Sequence, residues 1–176
     1  YTADMAGTKR LLLETGFMTV TKATYSKDGS KLAFIEQAYE EALVTVIDIK
    51  TGNVNVINDE TVELGDVIMG VRLNDDGTKL YVMSGNNTYA LREYDFATST
   101  YTVIVDNILV ESDIMLSDGY LYYCDVVDEY EAVVRKSVLG GERELVHKGA
   151  QFTLSPDGTK LAVIADCHQV ICITHL

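Results

Sequence analysis

With 176 residues, 47% of them hydrophobic, and a mean hydropathy of +0.07, this chain has the length to bury about 70% of the surface it would expose unfolded. Its 27 acidic residues against 14 basic ones give a formal charge of −13, which repels a phosphate backbone and argues against nucleic acid as a partner. Apolar runs such as Val103 to Val105 and Leu161 to Ala165 are strand-sized, far short of the ~20 residues of a membrane-spanning helix, so no membrane insertion is expected.

The predicted elements in chain order are short strands separated by turn chemistry. Tyr1 to Leu13 reads as two strands of an incomplete repeat, by analogy with Val46 to Gly52. Next come strands over 18–25, 32–35, 44–49 and 54–57, then 68–73, 80–83, 89–96 and 101–105, then 113–116, 120–124, 132–138 and 144–147. The C-terminal segment supplies three more and ends on Val170 to Thr174. Runs such as Leu32-Ala33-Phe34-Ile35 and Leu121-Tyr122-Tyr123-Cys124 do not alternate polar with apolar, so both faces of these strands are expected to be covered.

One signal repeats. An Asp-Gly turn followed by an apolar strand recurs at Asp28, Asp76, Asp118 and Asp157, in steps of 48, 42 and 39 residues. A self-similar all-β sequence at that period predicts a β-propeller-type array of about four four-stranded antiparallel blades. A two-sheet sandwich gives no reason for the same turn at near-constant spacing. The expected organisation is one domain over 1–176, with a partial blade at 1–15, blades at 16–63, 64–110 and 111–148, and a partial blade at 149–176. That makes seventeen strands where a closed four-blade ring needs sixteen, which predicts a segment of a larger ring, or association with further blades or a second chain. The start at Tyr1, without an initiator Met or a basic-then-apolar leader, reads as a processed or excised piece.

Ser155-Pro156-Asp157-Gly158-Thr159-Lys160-Leu161-Ala162-Val163 resembles the signature of the TolB-type, WD-repeat-like bacterial propeller repeats, and the other three turns are variants of it. The second has Asn74-Asp75 for Ser-Pro, and the third lacks the Thr-Lys pair after Gly119. The resemblance implies the fold and an extracytoplasmic location. It transfers no single function, because related propellers range from periplasmic scaffolds to parts of peptidases.

Alternating strand direction sorts the loops onto two faces. The face with the second-to-third-strand loops and the inter-blade loops collects most of the acidic residues, with Lys148 as a lone cation, while Lys136 and Arg143 are assigned to the opposite face. A one-signed face steers basic partners. The candidate partner-binding residues are Asp125, Asp128, Glu129 and Glu131, with Tyr39 and Tyr130 as aromatic anchors. The expected partner is a protein or basic peptide and the expected role non-catalytic. A solvated acidic surface serving solubility is the competing reading.

No cofactor is expected. The acidic spacing does not reproduce a calcium loop. Cys167, His168, Cys172 and His175 have zinc-type chemistry, but Cys172 and His175 fall on opposite faces of a strand. The three cysteines, Cys124 included, are an odd set that reads as small hydrophobes in strands. No Gly-x-Ser-x-Gly elbow or phosphate loop is present. The enzyme alternative is a metal-dependent, lactonase-like hydrolase on the same acidic face, which requires carboxylates converging near the central channel.

Overall fold

The computed structural model describes residues 2–3, 9–10, 19–38, 41–58, 64–165 and 170–176, and these contain strands and turns without helix. A two-stranded pair, β1 (Thr2–Ala3) and β2 (Lys9–Arg10), precedes four successive antiparallel sheets. The first blade is β3 (Thr19–Tyr25), β4 (Lys31–Ala38), β5 (Glu41–Asp48) and β6 (Val54–Ile57). The second is β7 (Val67–Leu73), β8 (Lys79–Gly85), β9 (Tyr89–Asp95) and β10 (Thr100–Ile108). The third is β11 (Met115–Ser117), β12 (Tyr120–Val127), β13 (Tyr130–Ser137) and β14 (Glu144–Lys148). The fourth has β15 (Gln151–Leu154), β16 (Lys160–Ala165) and β17 (Val170–His175), and no described strand pairs with the far edge of β17.

The repeated motif earns its place through hydrogen bonds. In the first, second and fourth blades the Asp carboxylate accepts from the backbone two residues on, at Ser30 (2.9 Å), Thr78 (3.0 Å) and Thr159 (3.1 Å). The side chain opening each motif, Ser26, Asn74 or Ser155, accepts the N–H of the lysine that starts the next strand, at 2.9–3.0 Å. The turn residues thus satisfy donors that the ladder leaves behind. The third blade solves the same reversal with two residues, Asp118 and Gly119, both at positive φ, as a tight hairpin requires.

A second contact recurs in all four blades. The residue following the third strand donates its N–H to the carbonyl just ahead of the second strand: Ile49 to Ser30, Phe96 to Thr78, Val138 to Gly119 and Leu176 to Thr159. Each blade is closed on itself in the same way.

Packing follows chain order. One core joins the first and second blades through Ala33, Ile35, Val44 and Val46 against Val71, Leu73, Leu80 and Val82. Another joins the second and third through Met83 and Leu91 against Ile114, Leu121 and Tyr123, and a third joins the third and fourth through Cys124 and Val133 against Leu161 and Val163. Leu80, Leu121 and Leu161 occupy the same position in three blades and are 0% exposed, each contributing about 1.5–3 kcal/mol of burial. No described core joins the first blade to the last. On the last blade the counterparts of Val44 and Val46 are Ile171 and Ile173, paired with Ile164 and Ala162 as the valines are with Ile35 and Ala33. The valines are 0–1% exposed, whereas Ile171 and Ile173 are 71% and 67% exposed.

Candidate binding site

The hairpin joining β12 to β13 carries most of the residues singled out from sequence. Its tip is Asp128 and Glu129, between Val127 and Tyr130, which face each other across the ladder. Asp128 has φ 50 and Glu129 φ 68, the left-handed conformation of a two-residue turn, adopted here without glycine. Asp tolerates that region better than Glu, whose backbone is strained there. Both tip residues and Glu131 are exposed. Tyr130 is exposed, and the Lys148 ammonium sits 4.1 Å from its ring centroid, so the cation that strand alternation assigns to this face lies beside the tip.

Asp125 is placed differently. It is 4% exposed, and its carboxylate accepts from the backbone of Leu109 (3.2 Å) and Val126 (2.8 Å) and from the Arg143 guanidinium. Arg143, assigned by strand alternation to the opposite face, reaches back from the loop ahead of β14. Asp125 therefore ties the segment entering the third blade to β12 and holds Arg143. Tyr39, the remaining predicted anchor, lies outside the described residues, as do Cys167 and His168.

Other carboxylates of the acidic face are engaged within the protein. Glu36 is buried and accepts from the Thr45 hydroxyl. Glu111 accepts from the Tyr89 hydroxyl at 2.7 Å, and this contact together with burial pushes the Tyr89 pKa up to about 12, burial being the larger cause. Asp113 pairs with Arg72 and Lys22. Among the described residues no group of three or more His, Cys, Asp or Glu side chains is placed to hold a metal ion.

Beside Asp125, between the second and third blades, lies an open cleft of about 450 Å³ lined by residues of β10 and the segment just after it, of β12, of the end of β13 and of the loop between β13 and β14. Sequence reasoning missed it, because its walls come from segments up to 39 residues apart, between Ile104 and Arg143. Its floor includes Tyr123, which is 0% exposed; its hydroxyl makes no hydrogen bond of regular geometry and interacts with the Arg143 guanidinium. Burial pushes the Tyr123 pKa up to about 12.

Antiparallel sheets stacked in series make the chain a β-propeller-type protein, with the fold of the TolB-type propellers. TolB from Acinetobacter baumannii is similar over 98% of this chain at TM-score 0.72 and 17% identity. The chain spans 45% of that TolB, less than half its length. A structure of a nidogen/laminin complex contains a chain that is similar over 90% of this one, and over 61% of its own length, at TM-score 0.68 and 11% identity. A Bacteroides uniformis protein assigned as a 6-phosphogluconolactonase is similar over 90% of this chain and 50% of its own, at TM-score 0.56 and 16% identity. At such identities the likeness shows the fold alone. No family description matches the chain, and no curated protein resembles it in sequence. Among the described residues no helix is long and apolar enough to cross a membrane.

Proposed function

We propose that the chain is a non-catalytic interaction module that engages a basic protein segment through the β12–β13 hairpin. One observation carries this reading: the turn accepts left-handed backbone at both Asp128 and Glu129 and so displays two adjacent carboxylates beside an exposed tyrosine. Backbone strain of this kind concentrates where function needs it, and solubility alone would be served as well by a relaxed Asn-Gly or Asp-Gly turn. Glu131 adds a third carboxylate, Tyr130 gives an exposed aromatic edge beside Lys148, whose place on the ring a partner's cationic side chain can take, and Asp125 holds the base of the hairpin. The resemblance to TolB-type propellers supports an extracytoplasmic placement. The uncovered face of the last blade is where further blades or a second chain would pack.

The metal-dependent, lactonase-like alternative takes its support from the Bacteroides neighbour. It finds no convergent ligand set among the described residues, so the interaction reading is preferred. Fluorescence anisotropy with a labelled oligolysine peptide tests it. The wild-type chain is expected to bind in a salt-sensitive manner, and replacing Asp128→Asn, Glu129→Gln and Glu131→Gln together is expected to weaken binding by about tenfold or more. Equal capture by the triple variant overturns the reading.

A further inference from the structure

The outer strand of the second blade leaves its partner irregularly. Pairing of β10 with β9 shifts register between Val103 and Val105 and again between Val105 and Ile108, and Asn107 has φ 54. Bulges of this kind bend a strand and re-aim its side chains, often next to functional sites. Here they accompany the cleft against the third blade, whose volume of about 450 Å³ lies in the ~300–1,000 Å³ range of small-ligand sites.

The lining has three chemical parts. Ile104, Val105, Leu109 and Val126 form an apolar wall, and Leu109 is 60% exposed. Lys136 and Arg143 are cations. Lys136 bonds to the Gly141 carbonyl and Arg143 to Asp125, yet an ammonium has three donors and a guanidinium five, so both keep capacity. Asp106 and Glu142 bring exposed carboxylates. Beneath them sits the buried hydroxyl of Tyr123, which interacts with the Arg143 guanidinium but makes no hydrogen bond of regular geometry, so a better-placed acceptor or donor there is favoured.

We propose that this cleft binds a zwitterionic small molecule of the amino-acid or dipeptide class. Its carboxylate is taken by Lys136, Arg143 and the Tyr123 hydroxyl, its ammonium by Asp106 or Glu142, and its aliphatic side chain by the wall at Val105 and Leu109. The Arg143 side chain is 42% exposed, so a tilt of that side chain opens the Tyr123 hydroxyl to the ligand. The inference is independent of the basic-partner reading. Lys136 faces Leu121, far along the ladder from the acidic tip between Val127 and Tyr130.

Titration calorimetry on the full chain decides the matter, with glycyl-leucine as probe and its N-acetylated and C-terminally amidated forms as controls. Saturable binding of glycyl-leucine is expected, with each capped form weaker by about tenfold or more, as the loss of one charge-assisted contact implies. Tyr123→Phe removes only the hydroxyl and is expected to weaken binding by roughly fivefold or more, while Lys136→Gln acts on the carboxylate end with a similar loss. Oligolysine binding by both variants is expected to stay at the wild-type level. The proposal is overturned by absence of saturable binding at ~10 mM glycyl-leucine, by equal affinity for the capped forms, or by wild-type affinity in both variants.

Discussion

The carboxylate of Asp113, on the segment entering the third blade, lies 3.2 Å from the guanidinium of Arg72 on the inner strand of the second. The same carboxylate is 3.5 Å from the ammonium of Lys22 on the first blade, which also donates to the Met69 carbonyl at 2.6 Å. Asp113 thus bridges three successive blades. Because its side chain is 37% exposed and that of Arg72 21%, solvent screens the pair. Arg72→Met or Asp113→Asn is expected to cost about 1 kcal/mol, read as a lower urea midpoint with an unchanged denaturant slope.

Close approach at the same junction makes a second outcome specific. A Cβ added at Gly70 would lie 2.7 Å from the Asp113 carboxylate and 3.0 Å from the Ile114 nitrogen. Gly70→Ala is expected to push the second and third blades apart, with a loss of about 1–3 kcal/mol. Gly29→Ala serves as the comparison, since a Cβ there meets nothing within 4 Å and the cost is backbone strain at φ 70.

Acid lability follows from the repeated turns. The Asp157 pKa is lowered to about 2, first by the Ser155 hydroxyl and then by the Thr159 backbone. Asp28 is lowered by the Ser26 hydroxyl and the Ser30 backbone, and Asp76 by its bonds from Thr78. A folded-state pKa below the unfolded one stabilises at pH values above the unfolded pKa, and that contribution is lost as pH falls through the folded pKa. Denaturation midpoints are expected to be level above about pH 5 and to fall between about pH 4 and 2. Asp157→Ala is expected to reduce both the midpoint near neutrality and the size of the acid decline.

At the acidic tip, stability and binding are expected to move in opposite directions. Glu129→Gly relieves a left-handed non-glycine residue and is expected to stabilise the chain by about 1 kcal/mol, while removing one carboxylate from the hairpin weakens oligolysine binding. A variant that is both no more stable and unimpaired in binding contradicts the account of the strained turn.

The open face of the last blade gives a surface test. Ile171 and Ile173 are largely exposed on adjacent alternate positions, so the chain is expected to bind an apolar dye and to self-associate as its concentration rises. Ile171→Thr with Ile173→Thr keeps β-branched residues in the strand and is expected to abolish both effects while altering stability by no more than about 0.5 kcal/mol. Sedimentation analysis at several concentrations reads the outcome.

The fold was legible because its signal is local. Asp28, Asp76 and Asp157 lie within five residues of the groups they organise, and their hydrogen bonds match the repeated motif. The third turn departs from the motif in sequence, where the Thr-Lys pair is missing after Gly119, and in structure, where two residues make the reversal. The site was less legible, because its contacts bring together segments distant in the chain. Asp125 and Arg143 sit on opposite faces by strand alternation, yet a long guanidinium side chain on a loop crosses between them. Glu36 follows the apolar run Leu32 to Ile35 and reads as the strand's turn toward solvent, but Thr45, diagonal to it across the ladder, supplies a partner that allows its burial. The cleft beneath Arg143 lies where β10 bulges, and nothing in its residue types announces a register shift.

Among the described residues every ladder in the four blades joins strands that are consecutive in the chain, and each blade fastens its third strand to the turn ahead of its second through a hydrogen bond of its own. Assembly can therefore advance one unit at a time as the polypeptide leaves the ribosome, with each finished sheet offering the next a ready apolar wall. Insertion, loss or duplication of a single unit then preserves the rules by which the remaining ones form.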